Sequence, residues 1–82
     1  MKEATMVRAY VLLEVAQSKT QKVLNELTKM GFVKQFDAIT GNYDIIAHIE
    51  GLDQNDLGKM VATQIAPLDG VERTVTYPVI EF

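Results

Sequence analysis

Residues Met6 to Ala16 read Met-Val-Arg-Ala-Tyr-Val-Leu-Leu-Glu-Val-Ala, a β-prone run with apolar side chains on both alternations. Val7, Ala9, Val11, Leu13 and Val15 fall on one face; Met6, Tyr10 and Leu12 fall on the other. Side chains alternate across a strand, so the pattern predicts a strand buried on both faces. A chain of 82 residues has little material for two covering layers. A single domain this small buries roughly 60–65% of its unfolded surface. Its hydrophobic fraction of 48% is high for a monomer that must also coat itself with polar groups. Both features point to a face covered by another molecule.

The remaining chain supplies three more strands and two helices. Gln17-Ser18-Lys19-Thr20 breaks the first strand. Ser18 or Thr20 is the expected helix cap, and Ser18 has Gln21 three residues on, as in a capping box. Val23, Leu24, Leu27 and Met30 follow at helical spacing, and Gly31 stands where a glycine ends a helix. The second strand is expected over Phe32 to Thr40 and the third over Asp44 to Glu50. They meet at Gly41-Asn42, a pair that tolerates the positive φ of a two-residue hairpin turn. Ile45, Ala47 and Ile49 share one alternation of the third strand; Ile46, His48 and Glu50 share the other. Gly51 ends it.

Asp53 or Asn55 is the expected cap of a second helix carrying Leu57, Met60, Val61 and Ile65, and Pro67 stops it. Gly58 inside that helix costs about 1 kcal/mol relative to Ala, and either permits close packing or is simply tolerated. Asp69-Gly70 turns the chain into a last strand, Val71 to Val79. Val71, Arg73, Val75, Tyr77 and Val79 share one alternation; Glu72, Thr74 and Thr76 share the other. Pro78 donates no N–H, which suits a sheet edge. Residues 1–5 are polar and are expected to fray, leaving an ordered core of about 6–80.

The order β-α-β-β-α-β predicts an α+β, ferredoxin-like antiparallel sheet with two helices on one face. The other face then carries Tyr10 and Leu12, or else Val11 and Leu13. An open apolar face of that size is rare on a soluble monomer. A second copy packed sheet to sheet about a two-fold axis covers it and makes a dimeric α/β barrel. Tyr10, Leu12, His48 and Tyr77 are the residues expected in that interface.

Charge and composition narrow the function. Eight basic residues stand against eleven acidic ones, a net charge of −3. The basic residues are scattered and form no phosphate-tracking stripe, so direct nucleic-acid binding is not expected. No cysteine is present, which removes disulfides, thiolate nucleophiles and soft metal ligands and fits a cytoplasmic setting. No signal-peptide pattern opens the chain, and no apolar run approaches the ~20 residues that span a membrane. His48 is the single histidine. It reads as hydrogen-bonded or interfacial rather than catalytic, and it has no second histidine with which to hold a transition metal. No catalytic residue, metal or cofactor is expected.

The connection Thr40-Gly41-Asn42-Tyr43-Asp44 is the candidate ligand site. A glycine turn exposes backbone N–H groups that can hold a small anion, while Asp44 offers the opposite charge. That combination suits a zwitterion. The plainer alternative makes Asp44 a turn cap for loop amides, and Thr74 and Thr76 ordinary strand threonines.

The hairpin Thr40-Gly41-Asn42-Tyr43-Asp44 and the run Leu68-Asp69-Gly70-Val71-Glu72-Arg73-Thr74-Val75-Thr76, in this order of elements, resemble the effector-binding (RAM) domain of the Lrp/AsnC, or feast/famine, transcription regulators. The family's hairpin is typically Thr-Gly-Asp-Tyr-Asp and its second motif roughly Pro-Gly-Val-x-x-Thr-x-Thr. Asn42 and Asp69 depart from those patterns. The Asn42 departure removes one negative charge from the loop. The resemblance implies a non-catalytic module that binds a free amino acid or similar metabolite between dimers, in a ring often built of four dimers. It implies ligand-binding roles for Gly41, Asn42, Tyr43, Asp44, Thr74 and Thr76. Full-length members carry a helix-turn-helix domain ahead of this module. The opening Met and acidic balance point instead to a stand-alone module that acts with a full-length regulator or an enzyme. The rival is a small enzyme of the dimeric α/β-barrel class, a monooxygenase or isomerase, since fold alone does not separate the two. A third possibility is a structural assembly module.

Overall fold

Strand β1, Val7–Val15, is the centre of the molecule. The computed structural model describes residues 6–82; the fraying expected of residues 1–5 lies outside the described residues. Helix α1 is Thr20–Leu27, β2 is Val33–Ala38, β3 is Ile45–Gly51, α2 is Gln54–Met60 and β4 is Val71–Pro78. A 3-10 turn, Gln17–Lys19, precedes α1, and a π-helical turn, Val61–Ile65, extends α2. The sheet order is β2-β3-β1-β4, antiparallel throughout. This is the ferredoxin-like arrangement, with β4 and its Pro78 at an edge.

The helices cover the face of β1 that bears Ala9, Val11, Leu13 and Val15. These residues are buried together with Ile45, Ala47 and Ile49 of β3, Val23 and Leu27 of α1, and Leu57, Val61 and Ile65. Among the described residues no buried side chain is polar or charged. Tyr10 and Leu12 therefore belong to the open face, which settles the choice the sequence left between them and Val11 with Leu13.

Local chemistry explains where the helices differ from expectation. Ser18 lies inside the 3-10 turn and caps nothing. Lys19 holds the N-cap position of α1 without a side-chain bond, and Gln21 spends its amide on Asn25 Oδ1 at 2.9 Å. The capping box thus does not form. At the other end, Lys29 N–H donates to Glu26 O and Met30 N–H to Leu27 O, both at 3.1 Å. Tight i→i+3 bonds close the helix there, and Gly31 has no left-handed role; the positive-φ glycines are Gly41 and Gly70. In α2 the expectation holds: Asp53 Oδ1 accepts from Asp56 N–H at 2.8 Å, while Asp56 Oδ2 accepts from Leu52 N–H at 2.8 Å. This is a reciprocal cap made by two aspartates. A Cβ on Gly58 would touch nothing within 4 Å, so that glycine is tolerated rather than needed for packing.

Two bulges change which residues share a face. Glu14 pairs with Arg73 but Val15 pairs with Val71, so Glu72 is an extra residue in β4. Val71 is thereby moved off the alternation of Arg73, Val75 and Tyr77 and joins the helix face. In β2 the register shifts between Val33 and Gln35, which places Gln35 and Asp37 on the open face. Between α2 and β4, Gly70 (φ 104°) passes against Lys19, and its carbonyl accepts from Ala16 N–H at 2.9 Å. Beside it Asp69 Oδ2 accepts from both Lys19 Nζ (2.8 Å) and Lys22 Nζ (2.7 Å). Hydrogen bonds from these two ammonium groups pull the Asp69 carboxyl down to about 2 and hold the Lys22 ammonium above its ordinary pKa.

Candidate functional site

The hairpin is longer than its sequence suggests. β2 ends at Ala38 and β3 begins at Ile45, leaving a six-residue connection, 39–44. Ile39 N–H donates to Asp44 O at 2.8 Å and closes a loop around Thr40–Tyr43. Gly41 lies at φ 117°, and Asn42 does not share its positive φ. The six-residue connection therefore replaces the two-residue turn expected at Gly41-Asn42.

Asp44 anchors this loop to β1. Its backbone N–H donates to Leu13 O and its Oδ2 accepts from Val15 N–H, both at 2.8 Å. Val15 lies where β4 is bulged, and the Asp44 carboxylate satisfies its N–H there. The carboxylate caps an amide of β1 rather than the loop amides the sequence suggested. Oδ1 makes no hydrogen bond within the described residues.

Arg73 completes the same corner from β4. Its guanidinium carbon stands over the Tyr43 ring, 5.8 Å from the centroid. Glu14 faces Arg73 in the register, yet no ion pair joins them. Sequence reasoning counted Arg73 only among scattered basic residues. Its position one residue before Thr74, in the second motif, was the signal available. Thr74 pairs with Leu13 and Thr76 with Val11, so both threonines are half-buried on the helix side of the β4 edge. One strand, β1, stands between Asp44 and Thr74, a span of roughly 10 Å at the usual strand spacing. Thr76 is roughly 7 Å further along. The chain thus brings Tyr43, Asp44 and Arg73 together and leaves Thr74 and Thr76 on a separate ledge. Gly41 and Asn42 are exposed at the loop tip.

The open sheet face has its own order. Gln35, His48, Tyr10 and Tyr77 form one row across all four strands, and Asp37, Ile46, Leu12 and Val75 form the next. Glu14 and Arg73 close one end; Arg8 and Glu50 close the other. Tyr10 stacks on His48, with ring centroids 5.1 Å apart and planes 23° apart. His48 Nε2 is buried without a hydrogen-bond partner. A depression of about 90 Å3, lined by Tyr10, Gln35, Phe36, Asp37, Ile46 and His48, opens beside the stack. Tyr10 and Tyr77 remain 41% and 54% exposed. Among the described residues, no cluster of three or more His, Asp or Glu side chains is arranged to hold a metal ion.

The model of the Lrp/AsnC ligand binding domain matches residues 8–82, and the chain belongs to that family. A relative of Pyrococcus abyssi, an uncharacterized HTH-type transcriptional regulator, is 26% identical over 68 residues, 83% of this chain and 43% of that protein. The chain thus spans less than half the length of that curated relative. The crystal structure of FFRP-DM1 superposes with a TM-score of 0.87 at 29% identity, covering 92% of this chain and all of that one. A transcriptional regulator from Neisseria meningitidis, solved as an L-Met complex, shares the fold at TM-score 0.83 and 18% identity, over 92% of this chain and 50% of that one.

Proposed function

We propose that this domain is a non-catalytic sensor of a free amino acid, seated at the hairpin corner and completed by other copies of the chain. The observation that carries the reading is the corner itself. An exposed glycine loop able to offer backbone N–H groups lies beside a half-buried carboxylate that keeps one oxygen unspent, in a domain of a ligand-binding family. The L-Met complex of the Neisseria regulator supports an amino acid as the ligand class. The separation of Thr74 and Thr76 from the loop supports a site assembled between copies, each giving one part.

The open sheet face supports a dimer. Its two middle rows are aromatic, aliphatic and uncharged apart from Asp37. A two-fold partner packed on these rows covers them. The further assembly of four dimers into a ring rests on the family resemblance. Catalysis has no support between helices and sheet, where every buried side chain is apolar. Regulation of transcription through a full-length regulator, or of an enzyme partner, in the cytoplasm completes the proposal; DNA is not contacted directly.

A thermal-shift screen of the standard L-amino acids tests it. A ligand that binds only the folded state raises stability by about 2.7 kcal/mol at a hundredfold excess over Kd. One or a few amino acids should raise Tm by several degrees. No shift with any of them at millimolar concentration rejects the reading.

A further inference from the structure

We propose that Arg73 is the carboxylate-recognising residue of the hairpin site, held in place by the face of Tyr43, and that it makes the site selective for ligands with a free carboxylate. The inference rests on the amino-acid reading above and goes beyond it by assigning a residue and a selectivity.

Three observations carry it. First, the Arg73 guanidinium lies over the Tyr43 ring at 5.8 Å. A guanidinium attracted to a ring face keeps its N–H donors, and their planar fork is what matches a carboxylate with two parallel hydrogen bonds. Second, that fork is unspent. Arg73 is exposed, and among the described residues it makes no ion pair or hydrogen bond. Its registered neighbour Glu14 stands on the same face, yet the guanidinium turns to Tyr43. Third, neither neighbouring acid pairs with it: Asp44 Oδ2 accepts from Val15 N–H at 2.8 Å, and among the described residues no ion pair joins Arg73 to Asp44 or Glu14. Tyr43 belongs to the loop and Arg73 to β4, so their contact ties the loop tip to the strand that carries Thr74.

Calorimetric titration of the intact chain tests this. The probes are the amino acid that gives the largest shift in the screen, its carboxamide and its decarboxylated amine. Wild type should bind the amino acid at least tenfold more tightly than either analogue. Arg73→Gln should weaken the amino acid at least tenfold and leave the carboxamide nearly unchanged, so that the gap between the two closes. Tyr43→Phe should keep the selectivity, and Tyr43→Leu should lose part of it. Arg73 is exposed, and an unchanged circular dichroism spectrum and melt will show that its variant is folded. If Arg73→Gln binds like wild type, or weakens both ligands equally, the assignment is wrong and the loop amides alone hold the carboxylate. If wild type binds no amino acid, the parent reading fails and the assignment falls with it.

Discussion

Asp44 Oδ2 accepts a hydrogen bond from Val15 N–H at 2.8 Å, so the last residue of the β2–β3 connection grips the end of the first strand. The residue proposed to face a ligand ammonium is therefore also a structural fastener. The two roles are separable by substitution. Asp44→Asn removes the charge but keeps an oxygen that can accept from Val15. It should melt close to wild type and bind the amino acid at least tenfold more weakly. Asp44→Ala should lose binding and also leave the part-buried Val15 N–H unpaired, a cost of about 1–3 kcal/mol. For a domain of this size that is roughly 4–8 °C of Tm per kcal/mol. Thermal melts beside calorimetric titrations check both. Unchanged affinity in Asp44→Asn would reduce Asp44 to the fastener alone.

The row Gln35–His48–Tyr10–Tyr77 predicts how the open face responds to charge. Tyr10→Glu and Tyr77→Glu each put a carboxylate in the middle of the proposed dimer interface. Burying an unpaired charge away from water is strongly unfavourable. Wild type should sediment at micromolar concentration with no monomer, and both variants as folded monomers of 9.2 kDa. A wild-type chain that sediments as a monomer and melts cooperatively would reject the dimer.

Asp69 predicts an acid-sensitive component of stability. Its carboxyl sits at about 2, well below the ordinary carboxylate range, because Lys19 and Lys22 both donate to it. A depressed carboxylate stabilises the fold wherever the unfolded chain is also ionised, above about pH 4. The contribution fades as pH falls from there through about 2. The groups are largely exposed, so the effect is small and screened by salt. The Tm difference between wild type and Asp69→Asn should be present at pH 6, shrink by pH 2.5 and narrow in 1 M salt. A pH-independent difference would mean that Asp69 acts through the turn and not through its charge.

How much of this was readable in the chain differs by level. The β-prone run Met6 to Ala16, apolar on both alternations, and the alternation in Ile45 to Glu50 located the central strands. Asp53 was legible as a cap because its partner lies three residues away. The Ser18 cap failed because a 3-10 turn, Gln17–Lys19, moved the N-cap one residue on, to Lys19. Thr74 and Thr76 were placed on one alternation correctly, but the Glu72 bulge that splits Val71 from Arg73 has no marker in the residues themselves. Arg73 was hidden for the same reason. Its role depends on Tyr43, thirty residues away, and only the folded sheet brings the two rings of charge and π-density together.

Gly41 and Gly70 share a left-handed backbone but predict different costs. At Gly41 (φ 117°) a Cβ would meet nothing within 4 Å, whereas at Gly70 (φ 104°) it would clash with Lys19 Cβ and lie 2.9 Å from its Cγ. Gly41→Ala therefore carries backbone strain alone, of order 1–3 kcal/mol. Gly70→Ala carries similar strain plus a clash with the residue that enters α1, and Gly70 cannot retreat because its carbonyl holds Ala16 N–H at 2.9 Å. Relief requires the turn before α1 to shift, which also pulls Lys19 from Asp69. Gly70→Ala should lower Tm well beyond Gly41→Ala, with the excess appearing as a lower midpoint in urea rather than a changed slope. Gly41→Ala should in turn weaken amino-acid binding more than its stability loss explains, because the added methyl group sits where a ligand would approach the loop amides. Equal Tm losses in the two variants would show that the chain near Lys19 yields easily, and that the contact between the β4 turn and the start of α1 does not position the helix.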